Sequence, residues 1–297
     1  MTDDAALPPA QTDAGGSPWF AVGLIAAPAI TIAGLVVAPH LAIGEGAAAL
    51  VTFVGGASTG LAALAIAAPG KLSPRATLTL AVGSAGALGA AAAMGVGSRW
   101  ALVLVNAAIV TFAHAVGGAV GRRVAHPGHL LPACVVAAAA DLASVLHPAG
   151  PSHAIASSDR ALAVLTLGAA VPGTPHVAPA LGAGDLLFLA LVLGAAATHR
   201  MSIARTAALG AAGVIAAGIL SAIVGAPVPA LVTIGVAIVA GLPAARRLRA
   251  EDRRTAGLSV AIAAAVLAAL GMQRLTAREP AAEAPADAGA DDGSTPR

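Results

Sequence analysis

The chain has no tyrosine, a single cysteine, and aromatic residues at only 2% of its 297 positions. Charge is scarce as well, at 10% of residues, where a soluble domain carries roughly 25%. That scarcity excludes an ordinary soluble domain. The net charge of +2 is small, and the basic residues fall between apolar runs. They read as topology anchors, so a nucleic-acid surface is not expected. The lone Cys134 sits inside an apolar run and cannot form an intrachain disulfide. There is no His-Glu-x-x-His, which argues against zinc hydrolysis by that route. No metal site and no cofactor are expected.

What is present is apolar sequence, 58% of the chain, rich in Ala and Gly. Small residues let helices approach closely, so a compact bundle is expected. A spanning helix needs about 20 mostly apolar residues. Nine candidates follow: 18–38, 46–68, 76–97, 100–121, 128–147, 181–198, 204–224, 227–245 and 255–272. The fold class is therefore an all-α polytopic membrane protein, with a lipid bilayer around 18–272. Residues 1–17 are polar and acidic with no Lys or Arg, so they are expected to be a disordered tail and not a signal peptide. Residues 273–297, rich in Pro, Ala and acid, are expected to be a second disordered tail. One connection, 148–180, is long. It holds the apolar stretch ALAVLTLGAAV (161–171), too short to span, which reads as either a strand or a dipping segment.

Two carboxylates stand inside the apolar runs: Asp141 in DLASVLHPAGP and Asp185 in LGAGDLLFLALVL. An ionisable group at membrane depth costs a few kcal/mol on insertion scales, about 2.5–3.5, and usually faces the bundle interior with a function. Two carboxylates close together share a proton, so that one can act as base while the other acts as acid. Gly182 and Gly184 precede Asp185 and remove bulk where a backbone or substrate must approach. Pro229-Ala230-Leu231 opens a later apolar run after a Gly-Pro break. Read alone, the glycines are packing residues and the tripeptide is an ordinary helix start. The two aspartates are equally open to a structural pair or a proton relay.

Together these three stretches resemble the presenilins and signal peptide peptidases, which are intramembrane aspartyl proteases. The first stretch is similar through Leu142, Val145, Leu146, Pro148, Gly150 and Pro151. The second is similar through Leu181, Gly182, Gly184, Asp185, Phe188 and Gly194, and the third through Pro229, Ala230 and Leu231. The order agrees, the similarity is closest to presenilin, and it covers about 130–245. It implies a presenilin-like bundle with a catalytic core at about 128–245. Asp141 and Asp185 would be the catalytic dyad, with Gly182, Gly184, Pro229, Ala230 and Leu231 binding substrate. The activity implied is hydrolysis of peptide bonds in transmembrane helices, and the partners are transmembrane peptides or proteins. The sequence names no accessory subunit. By the same resemblance, 161–171 occupies the place where such proteases hold a substrate as an added strand. Ala140 stands where the family has a Tyr, which removes a hydroxyl near the dyad. Four runs precede the first Asp where the family has five, and one extra run, 255–272, follows. The alternative is a non-enzymatic or transport-type bundle that uses the two Asp structurally or as a relay.

Two weaker readings remain. Ser58 in GGASTG and His114 would make a serine dyad only if brought together. His126 and His129 read as solvated or interfacial histidines. With a cytoplasmic N-terminus, the inside loops collect Lys71, Arg75, Arg122, Arg123, Arg200, Arg205, Arg246, Arg247, Arg249, Arg253 and Arg254. This places the 149–180 connection and the C-terminus outside, in a multi-pass integral protein expected in a prokaryotic cell membrane.

Overall fold

The computed structural model describes residues 18–95, 98–147 and 150–276. The expected tail 1–17 lies outside the described residues, as does 277–297 of the tail expected from 273. Residues 273–276 are the last turn of a helix.

The helices run in chain order: α1 (Pro18–Val37), α2 (Glu45–Ala67), α3 (Pro74–Met94), α4 (Arg99–Ala113), α5 (Ala119–Arg122) and α6 (Leu130–Leu146). A short α7 (Pro151–Ala156) and α8 (Asp159–Leu165) lead into a hairpin of β1 (Thr166–Ala170) and β2 (Val177–Gly182). Then come α9 (Ala183–Thr198), α10 (Ile203–Val224), α11 (Ala230–Gly241) and α12 (Arg253–Thr276). Serines begin several helices. Ser73, Ser98, Ser158 and Ser202 each accept a hydrogen bond from the backbone N–H three residues on, satisfying one of the donors a helix start leaves free.

Among the described residues, six helices are long and apolar enough to cross a membrane: 18–40, 45–67, 74–94, 99–122, 127–146 and 203–224. The chain is thus a polytopic, helical, multi-pass membrane protein. Two of the nine expected spans are shorter as helices. The run 181–198 begins as strand, and its helix α9 has 16 residues. The run 227–245 has 12 helical residues, α11, because Gly225 in the left-handed region (φ +66°), Pro227 and Pro229 delay its start. Non-helical backbone is tolerated at membrane depth where protein covers it. The ninth run, 255–272, is helical within α12. Residues 161–171 divide: 161–165 finish α8, and 166–170 form β1. The strands pair antiparallel, Thr166 opposite Gly182 and Ala170 opposite Val177, with a bulge between Leu167 and Gly168.

α9 lies at the centre. Leu186, Leu189, Val192 and Leu193 are fully buried, together with Val105 and Ile109 of α4 and Leu64 of α2. Lipid tails are as apolar as these side chains, so close packing holds the bundle. The closest packing is on glycine. A Cβ at Gly117 or Gly121 would strike the carbonyl oxygens of Leu187 and Leu191, and one at Gly194 would lie 2.6 Å from the Gly118 oxygen. The backbone at His114–Gly118 forms a π-turn at this seam.

Candidate active site

Three helix ends meet where the site would be. α6 carries Asp141 five residues before its last residue, Leu146. Beyond that end the chain folds back on the helix. Ser152 N–H donates to Ser144 Oγ (3.0 Å), the two serine hydroxyls lie 2.7 Å apart, and His153 Nε2 bonds Val145 O at 3.0 Å. Gly150 is pressed so close to Ser144 O that any Cβ there would clash. This gives a steric reason for the Gly in the exit segment. Pro148 of the same segment lies outside the described residues.

α11 supplies the second end. Pro229 caps it, and the Leu231 N–H is one of the first donors of that helix with no intrahelical acceptor. It donates to Asp141 Oδ2 at 2.9 Å. A carboxylate is thereby placed at the positive end of a neighbouring helix. The loop before α11 is tied down by Ser221, whose Oγ accepts the Val228 N–H at 2.9 Å.

α9 supplies the third end. Gly182 is its N-cap and Asp185 lies in its first turn, three residues on. The Asp185 carboxylate folds back over Gly182, toward the place a capping-box side chain takes. A Cβ on Gly182 would sit 3.2 Å from Asp185 Oδ2, so glycine is what lets the carboxylate fold back. Gly184 faces open space. Asp185 also lies within range of the Asp141 charge. Both aspartates therefore stand at helix N-termini, one in trans and one in cis.

Asp185 borders a cavity of about 690 Å³. Its walls are β2 from Pro179 to Gly182, the apolar faces of α2 and α10, and Val228 and Ala230 beside the tripeptide. Asp185 and Ala230 line it together; Leu231 instead reaches Asp141. Sequence reading missed the residue that positions this wall. Asn106 of α4 is 1% exposed. Its carbonyl oxygen accepts the Gly168 N–H (3.0 Å), and its amide donates to Gly168 O (2.8 Å) and to Thr31 Oγ1 (2.9 Å). Thr52 Oγ1 donates to Ala48 O of its own helix at 2.7 Å and lies 3.4 Å from Ala170 O. These two polar side chains occupy the outer edge of β1, while β2 lines the cavity. A single Asn in an apolar run was the available signal.

Ser58 is exposed on α2, whereas His114 is 2% exposed and tilted against Phe20 at 5.1 Å, its Nε2 unpartnered among the described residues. No serine dyad forms. His129 Nε2 lies 3.0 Å from Asp252, a partner distant in sequence, with both side chains partly exposed. Among the described residues no group of three His, Cys, Asp or Glu side chains could hold a metal.

Fold and site define a multi-pass helical membrane protein with two carboxylates at converging helix starts. No family model, curated protein or solved structure matches the chain.

Proposed function

We propose that the chain is an intramembrane aspartyl protease in which Asp141 and Asp185 activate water against a peptide bond of a transmembrane substrate. The observation that carries the reading is the bond from Leu231 N–H to Asp141, made beside Asp185 and its cavity. It ties the two aspartates and the Pro229-Ala230-Leu231 turn, three features far apart in sequence, into one place.

In the mechanism the pair shares one proton. The ionised carboxylate takes a proton from water as its oxygen attacks the carbonyl carbon. The protonated one donates to the carbonyl oxygen, giving a neutral gem-diol. The first then protonates the departing nitrogen as the C–N bond breaks, and the second recovers its proton from the gem-diol as the carboxylic acid product forms. A peptide bond in a spanning helix is hidden within its own hydrogen bonds. Strand addition along β2 would expose it, and β2 runs along the cavity directly into Asp185. The closure of β1's outer edge by Asn106 supports β2 as the pairing edge.

One observation favours the second reading, a structural pair or relay: the Asp185 carboxylate lies folded back over the N-cap of its own helix, a position that needs no substrate. Cleavage decides between them. Purified protein incubated with a single-span model peptide is expected to release two fragments whose masses sum to peptide plus water, and Asp185→Ala to release none. Intact peptide with the wild-type protein removes the protease reading.

A further inference from the structure

We propose that the seam between α1 and α4 binds one anionic glycerophospholipid. A cavity of about 620 Å³ opens there, lined by α1, by the turn after it, and by the start of α4. Its chemistry is ordered along one line. His40 and Arg99 stand at the helix ends, Trp100 is beside them, and Ile32, Val36 and Val103 lie deeper. From His40 back to Ile32 the chain climbs about 12 Å at 1.5 Å per residue. Cation, then amphipathic ring, then aliphatic trough is the order of phosphate, glycerol and acyl chain in a bilayer leaflet, and Trp favours that interfacial level.

The groups are free to take such a ligand. Trp100 is 69% exposed and Val36 62%. Neither Arg99 nor His40 makes an ion pair or side-chain hydrogen bond to any described residue. No acidic side chain lines the groove among the described residues. The planar guanidinium of Arg99 matches a phosphate with parallel donors. A zwitterionic lipid would bring its own cation against Arg99. The groove also lies just outside the Thr31–Asn106 bond that joins α1 to α4 and holds β1, so its occupant packs against the support of the hairpin.

The test needs no catalytic activity. Protein is incorporated into bilayer discs of phosphatidylcholine containing phosphatidylglycerol, then released gently for native mass spectrometry. Wild-type protein is expected to retain one phosphatidylglycerol. Arg99→Gln should lower that retention about fivefold, and Arg99→Gln with His40→Gln should reduce it to the phosphatidylcholine level. Arg99 also borders a smaller cavity of about 330 Å³, where Arg160 is the other cation, so Arg160→Gln is the control and should retain the lipid. Val36→Trp, which fills the trough and leaves Arg99 and His40, should release it. Equal retention of both lipids, or full retention by Arg99→Gln or Val36→Trp, overturns the proposal. Displacement by inorganic phosphate alone would also overturn it, by reassigning the site to a free anion.

Discussion

The two sides of α9 are built differently. Toward α4 and α5 it meets backbone, with glycines laid on the carbonyls of Leu187 and Leu191 and no space between. Toward β2 its first turn meets a cavity at Asp185, and Gly184 faces nothing within 4 Å, although farther along Leu189 packs on Gly210 of α10. The packed side fixes the helix axis. The open side then holds a carboxylate in a defined place beside empty volume. A membrane bundle gains little from burying apolar surface, so a site of this kind depends on close contact on the opposite face.

The comparison breaks most sharply at the carboxylates. Asp141→Asn and Asp185→Asn are each expected to lower cleavage by at least about 10²-fold, since the proposed mechanism gives each a distinct proton role. Circular dichroism should show that both remain helical in detergent. Next, bulk on the packed side should unfold the protein. Gly121→Leu forces α5 off α9 and is expected to cost about 3 kcal/mol or more, measured by denaturant titration in micelles. The same kind of change on the open side should not. Gly184→Ala should move stability by less than about 0.5 kcal/mol, and any loss of cleavage it causes then reports substrate contact. Between these lies Asn106→Leu. It leaves both Gly168 backbone groups unpaired at roughly 1–3 kcal/mol each, and it should lower cleavage more than Thr52→Val, which removes a bond within α2 and only one long contact to β1. Orientation changes no stability. In a Cys134→Ala background, a membrane-impermeant thiol reagent should label Ser158→Cys in intact cells and not Arg249→Cys; the reverse places the 149–180 connection inside.

The long helices were legible because a span demands a continuous apolar run, and 18–38 or 204–224 can be little else. The shorter elements were not. In 181–198 and 227–245 composition stays apolar while the backbone changes from strand or loop to helix, and hydropathy does not distinguish these. The two aspartates could be read as unusual, because charge in lipid is costly. The tether on Asp141 could not: Leu231 uses a backbone N–H, and backbone groups leave no mark in a sequence. Asn106 had a mark, a carboxamide in the run LVLVNAAIV, but nothing nearby names Gly168 or Thr31 as its partners.

The central claim is that Asp141 and Asp185 act as one pair sharing one proton. The direct measurement is the rate of cleavage of a single-span peptide by purified protein as a function of pH. A pair gives a bell: low pH protonates both carboxylates and leaves no base, and high pH ionises both and leaves no acid. The expected result is that bell in the wild-type protein and background rates at every pH in either Asn variant. A single sigmoidal limb, or an Asn variant retaining near-wild-type cleavage at any pH, would contradict the account.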